Sequence, residues 1–249
     1  MILAESHCHL DLYPPSRRED MLEQAKSLNI QIMLNMGMNL ESSADSIKLA
    51  QQYPEILAAV GIHPWEAVPL SSTIQDKLME LVRHERVVAV GEIGLDYKRN
   101  QGDSKIQREL FEYELSLAKD ADLPISIHCR DAHEDMMAIL RRNDNVGIKG
   151  ALHEGAEDWK AIKDWLDLDF YIAVSLRGFV EDEIYSLIQA IKKVPLDRLL
   201  IETDAAGDEY VVEIKELLPV LKKLADLREI DIKKMAEITT NNLKRLLNI

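Results

Sequence analysis

The feature that most constrains this chain is a repeat of pattern: short apolar runs recur from end to end, each followed by a longer charged segment with helical spacing. The runs cover residues 2–6, 30–36, 57–62, 87–93, 124–129, 146–152, 170–175 and 199–203. Alternation of this kind is the signature of repeated βα units, and therefore of a parallel α/β fold. Segments such as 17–28, 104–121, 131–142 and 182–193 set apolar residues three or four apart among charges, as covering helices do. Eight strand–helix units in 249 residues predict one domain over 1–249, a single (β/α)8 TIM-type barrel with parallel strands and an outer ring of helices. A doubly wound open sheet is the alternative. Residues 209–249 carry two further helical patterns after the last strand.

Bulk properties narrow the partners. A formal charge of −14 argues against broad binding of nucleic acid or anionic membrane through a basic face, and leaves room only for a local basic pocket. The two cysteines, Cys8 and Cys129, each adjoin a histidine and cannot form a disulfide framework. A cytoplasmic protein is expected. The start of the chain lacks a basic stretch leading into a long apolar one, and no apolar run approaches the roughly 20 residues that span a bilayer, so neither secretion nor membrane insertion is expected.

The chemistry sits at the strand ends. His7 and His9 follow the first run, Glu92 lies on the fourth, His128 on the fifth, His153 after the sixth and Asp204 after the eighth. In a parallel barrel the C-terminal ends of all strands share one rim, so residues about 200 positions apart can converge there. His7 and His9, two apart on a strand, project to one side and can grip one ion, while Cys8 points away. Taken alone, a His-x-His pair is equally consistent with surface histidines.

Glu92 and Asp204 interrupt apolar stretches, and a buried carboxylate needs a cation or an ion pair with Lys or Arg. Glu202 alternates with Asp204 and reads as a supporting partner. So many ligands exceed the need of one tetrahedral ion and suggest two divalent ions, with Glu92 as the bridging candidate. Asp204 is then the candidate general base for a water, which makes Asp204 and Glu92 the catalytic pair. Nitrogen and oxygen ligands suit zinc, manganese, cobalt or nickel, and magnesium less well.

Other residues point to the substrate. His63, in Gly61-Ile62-His63-Pro64-Trp65, either lines the substrate pocket or is a structural histidine capped by its own loop. Arg130 is the leading candidate to hold an anionic group through a two-point contact, with a salt bridge to Asp131 as its other reading. Lys98, Arg99 and Arg177 are rim-loop positions that could add positive charge. His84 and His133 read as solvated positions.

Five motifs carry a resemblance: Ser6-His7-Cys8-His9-Leu10-Asp11, Gly61-Ile62-His63-Pro64, Gly91-Glu92-Ile93-Gly94-Leu95-Asp96-Tyr97, Pro124-Ile125-Ser126-Ile127-His128-Cys129-Arg130-Asp131-Ala132 and Leu200-Ile201-Glu202-Thr203-Asp204-Ala205. The chain resembles the TatD family of metal-dependent hydrolases almost end to end, including Gln107-Arg108 and the closing Thr240-Asn241-Asn242-Leu243. The resemblance implies an amidohydrolase-type barrel with a two-ion site and, as in characterised relatives, 3′-to-5′ DNase activity supported by magnesium or zinc. It also implies that His7, His9, Glu92 and Asp204 hold one ion, and Glu92, His128 and His153 the other.

Departures from the family pattern cluster on substrate-side loops. His153 is followed by Glu154-Gly155-Ala156-Glu157 where the family has Cys-Phe-Ser-Gly, Ser175 by Leu176-Arg177-Gly178-Phe179-Val180-Glu181, and Asp204-Ala205 by Ala206 rather than Pro, with Asp208-Glu209 beyond. Added acid at Glu154, Glu157, Asp208 and Glu209 would meet a polyanion. The expected substrate is accordingly DNA or a small phosphorylated or anionic molecule, on a monomer or small homo-oligomer. The competing readings are a two-metal hydrolase of a small amide, lactone or ester, and a metal-binding scaffold without activity.

Overall fold

The computed structural model describes residues 1–98, 103–155, 158–176, 184–206 and 212–249, the side chains of 184–187 excepted. Eight strands run through it: β1 (Leu3–Cys8), β2 (Ile30–Met36), β3 (Ile56–Val60), β4 (Val87–Asp96), β5 (Ile125–Arg130), β6 (Gly150–Leu152), β7 (Tyr171–Val174) and β8 (Leu199–Ile201). The helices between and after them are α1 (Pro15–Ser27), α2 (Leu40–Gln52), α3 (Ser72–Val82), α4 (Ser104–Asp120), α5 (His133–Leu140), α6 (Trp159–Asp167), α7 (Ile184–Lys193), α8 (Leu217–Leu227) and α9 (Ile232–Leu247). The strands stand in chain order in a parallel sheet, and the fold is a (β/α)8 barrel. Among the described residues no helix is long and apolar enough to cross a membrane.

Local sequence explains where the helices begin. Asn39 accepts the Glu41 and Ser42 N–H groups and Ser42 returns a bond to the Asn39 N–H, a reciprocal cap on α2. Ser71, Asp103, Asp158 and Asp231 cap α3, α4, α6 and α9 through side-chain oxygens, and Pro15 opens α1. Each cap satisfies N–H groups that the first turn leaves without partners.

By density of contacts the chain falls into two compact units, Met1–Asn35 with Glu154–Ile249, and Met36–His153. In the first, β1 pairs with β2, β7 pairs with β8, and Cys8 bridges Ala205 in parallel. α9 packs beneath these strands. Its Asn242 donates from Nδ2 to the carbonyls of Leu196 and Leu199, both at 2.8 Å, and Thr240 Oγ1 donates to Ile2 O. That is the physical content of the closing Thr240-Asn241-Asn242 motif. Asn242→Ala leaves buried carbonyls unmatched, and urea unfolding should register a loss of about 2 kcal/mol.

In the second unit β3, β4, β5 and β6 pair successively. β4 is long enough to carry Glu92 and Asp96 on one strand. Gly94 sits at φ +143° opposite His128, where a Cβ would stand 2.0 Å from the His128 carbonyl oxygen. Only glycine lets the two strands meet there.

The run 146–152 contracts to the three residues of β6, a correction to the sequence reading. Val146 is 70% exposed, Gly147 turns the chain at φ +91°, and Asn145 Nδ2 holds the turn to Ile139 O. A tight turn out of α5 uses the residues that pattern alone assigns to strand. The last run contracts likewise, and β8 ends at Ile201.

Candidate metal centre

In the first unit, β1 delivers His7 and the turn after it delivers His9, both buried. Their Nε2 atoms lie 3.1 Å apart, and Asp204 Oδ1 is 3.5 Å from His9 Nε2 and 3.9 Å from His7 Nε2. Two nitrogens on one tetrahedral ion at 2.0–2.1 Å would stand about 3.3 Å apart, so the spacing suits a shared cation. Asp204 does not lie inside a strand. It follows the end of β8 with φ +53°, a left-handed conformation that aspartate tolerates better than most residues, and so the alternation argument for Glu202 fails. Backbone bonds set its place instead: Asp204 N–H donates to His7 O and His9 N–H to Ala205 O.

Buried polar groups brace these ligands. Glu5 Oε1 accepts the N–H groups of His7 and Thr203, both at 3.0 Å. Burial pushes the Glu5 carboxyl up to about 8, against the pull of those bonds. Glu202 Oε1 accepts the Glu154 N–H at 2.7 Å. Asn35 accepts the Leu10 N–H and donates to Asp11, fixing the chain as it leaves His9. Cys8 turns from the histidines toward Leu34 O, and burial, reinforced by Glu5, Asp11 and Asp204, drives its thiol well up. A protonated thiol is no metal ligand.

In the second unit Glu92 is buried, and histidines approach its carboxylate. Oε1 lies 3.0 Å from His128 Nδ1, 3.4 Å from His63 Nε2 and 3.8 Å from His153 Nε2. His63 Nδ1 accepts the Trp65 N–H in its own loop, as the structural reading expects, while Nε2 faces Glu92. His63, Glu92 and His128 offer one cluster of candidate ligands, and His7, His9 and Asp204 another.

Asp96, which sequence reasoning left without a role, is buried beside this cluster. Its Oδ2 takes His128 Nε2 at 3.0 Å and the Trp65 indole N–H at 2.7 Å, and Oδ1 takes the Lys98 N–H. Gln107 on α4 locks the Asp96 backbone, accepting its N–H at 3.0 Å and donating to its carbonyl at 3.1 Å. Burial opposes charge on His128, but the bonds to Asp96 and Glu92 outweigh it and raise the imidazole above its ordinary value. An imidazole flanked by carboxylates through both nitrogens is oriented as metal-binding histidines are. The signal for Asp96 was its place in Gly94-Leu95-Asp96, four residues after Glu92 on the same strand.

Arg130 closes β5 half-buried, with its carbonyl accepting the Tyr97 N–H. His133 is half-buried at the first turn of α5. His84 lies after α3, not within a helix, and its Nδ1 accepts the Arg86 N–H. Glu154 holds φ +43°, and its carboxylate takes the Ser175 hydroxyl. Arg99, Glu157, Arg177, Asp208 and Glu209 lie outside the described residues.

One buried acid serves the loop that bears His63. Glu114 on α4 accepts the Ile62 N–H at 2.7 Å, and burial raises its pKa well above 4.5 despite that bond. Unfolded, the carboxyl sheds its proton near 4.5; folded, it keeps it to higher pH. Across that window the folded state binds the extra proton, so stability falls as pH rises, by at most about 1.4 kcal/mol per pH unit. Glu114→Gln stays neutral and removes this slope. Its urea midpoint should gain on the parent's as pH rises above about 5; parallel curves would refute the assignment.

Buried imidazoles aimed at buried carboxylates, on the strand ends of a parallel barrel, define a metal-dependent hydrolase. Comparison with known proteins agrees: the chain belongs to the TatD related DNase family, whose model matches residues 4–248. It is 30% identical to the uncharacterized metal-dependent hydrolase YabD of Bacillus subtilis, with 100% of each chain covered. It is also 30% identical to the 3′-5′ ssDNA/RNA exonuclease TatD of Citrobacter koseri, over 93% of each. The crystal structure of YJJV, a TatD homologue from Escherichia coli K12, superposes with a TM-score of 0.88 at 28% identity, covering 99% of this chain and 98% of the other.

Proposed function

We propose that this chain is a single-domain, two-metal phosphodiesterase that removes nucleotides from the 3′ end of single-stranded DNA. The observation that carries the reading is the ligand chemistry around Glu92, where three histidine nitrogens approach one carboxylate oxygen, in a chain 30% identical to a named exonuclease. His7, His9 and Asp204 are assigned to one ion, His128 and His153 to the other, and Glu92 to both. Zinc, manganese, magnesium, cobalt and nickel are the candidate metals. When bound, the ions supply Lewis acidity and neutralise charge on the phosphoryl oxygens.

The remaining work falls to the protein. Asp204 accepts a proton from the attacking water, and Glu92 holds the ligand histidines in register. Asp96 accepts a hydrogen bond from the Nε2–H of His128, which leaves Nδ1 to serve as the ligand nitrogen. His63 and Arg130 receive the substrate, Arg130 through a two-point contact with phosphate. The reading places the protein in the cytoplasm as a monomer or small homo-oligomer. A 5′-labelled single strand should be shortened stepwise by purified protein with a divalent metal, and not in chelator. Intact strand under all five metals would remove the proposal.

A further inference from the structure

Trp65 lies in the short turn Pro64–Glu66 that follows β3, two residues after His63, and is held by two unlike bonds. Its backbone N–H donates to His63 Nδ1 at 3.1 Å, and its indole N–H donates to the buried carboxylate of Asp96 at 2.7 Å. The second bond fixes the ring, because a planar side chain with two torsions loses its freedom once one edge atom is tied to a rigid partner. Asp96 is rigid: Gln107 grips its backbone on both sides, and its Oδ2 also takes His128. The indole centroid stands 4.7 Å from the His63 ring at 76° and 5.9 Å from the His128 ring at 69°. Neither imidazole is stacked on it. The side chain is only half-buried, whereas Trp165 in the same chain is wholly buried as a core residue.

A tethered, half-buried aromatic ring beside a candidate ligand histidine is more than a hydrogen-bond donor requires. With 5.9 Å between the Trp65 and His128 ring centroids, a phosphate bound at His128 would carry its nucleoside into the region of that ring. Every base offers a π face, so such a contact is sequence-tolerant, and it acts only on unpaired bases. We infer that Trp65 is a stacking platform for an unpaired nucleobase, a subsite next to His128 that selects nucleotide ends over phosphodiesters without an aromatic base. The inference rests on the phosphodiesterase reading above and adds the chemistry that the substrate must carry.

The test is an equilibrium binding measurement, so that it does not depend on turnover. The probes are a 5′-fluorescein-labelled trithymidylate with hydrolysis-resistant phosphorothioate linkages and the same strand with an abasic 3′ unit, each titrated with manganese-loaded protein. Unsubstituted protein should bind the base-bearing strand roughly 5- to 100-fold more tightly than the abasic one. Trp65→Phe keeps a ring without the N–H and should retain most of that ratio. Trp65→Leu removes the ring and should bring the two strands within about twofold of each other, with manganese content equal in all three proteins.

The inference is overturned if the unsubstituted protein does not discriminate or if Trp65→Leu discriminates as well as it does. It is equally overturned if Trp65→Phe loses the ratio as completely as Trp65→Leu, or if Trp65→Leu loses its manganese; either places the role of Trp65 in holding Asp96. Failure of the phosphodiesterase reading looks different: the native strand stays intact under every metal while the binding ratio stands.

Discussion

Asp204→Asn should lower kcat on a single-stranded oligonucleotide by about 1,000- to 10,000-fold, with the fold intact. Asparagine suits this site sterically, because it too tolerates the left-handed conformation found at φ +53°. The backbone bond from residue 204 to His7 O does not involve the side chain and survives. What disappears is the anionic oxygen 3.5 Å from His9 Nε2, and with it both the proposed ligand and the proposed proton acceptor. Single-turnover kinetics with saturating metal isolate the second loss, and thermal unfolding checks the fold. Activity within tenfold of the parent would remove Asp204 from the proton transfer.

Glu92→Gln should be at least as severe, and its first effect is on metal. Glu92 is the one carboxylate assigned to both ions, and its Oε1 lies within 3.8 Å of three imidazole nitrogens. A neutral amide removes the charge that offsets a cation and offers an N–H donor where the ion needs a lone pair. Divalent-ion affinity should fall by more than about 100-fold, and elemental analysis after dialysis should find at most one ion per chain where two are expected for the parent. Two ions retained by the variant would exclude Glu92 as the shared ligand.

The sequence was most legible where a single physical rule acts along the chain. Strand periodicity located β2 to the residue, and ligand-type side chains marked strand ends because parallel strands direct them there. It was less legible where two rules compete. At 146–149 an apolar pattern gives way to a turn at Gly147, and at 202–204 the chain leaves the sheet although apolar residues precede it. Asp96 was invisible as a functional group because its meaning lies in partners 31 and 32 residues away, Trp65 and His128. Gln107 likewise was one letter of a motif until its amide was seen to bracket Asp96. The partners of such groups are set by strand register and helix packing, which no local pattern encodes.

Position 94 shows how much rests on a missing atom. With φ at +143° and the His128 carbonyl 2.0 Å from where a methyl carbon would be, any side chain would force β4 and β5 apart at the height of His128. Randomising this codon and screening for folded, metal-loaded protein should therefore return glycine alone, whereas the half-buried rim offers evolution room to change what the enzyme accepts. The alignment of the centre is bought with emptiness at one point in the sheet.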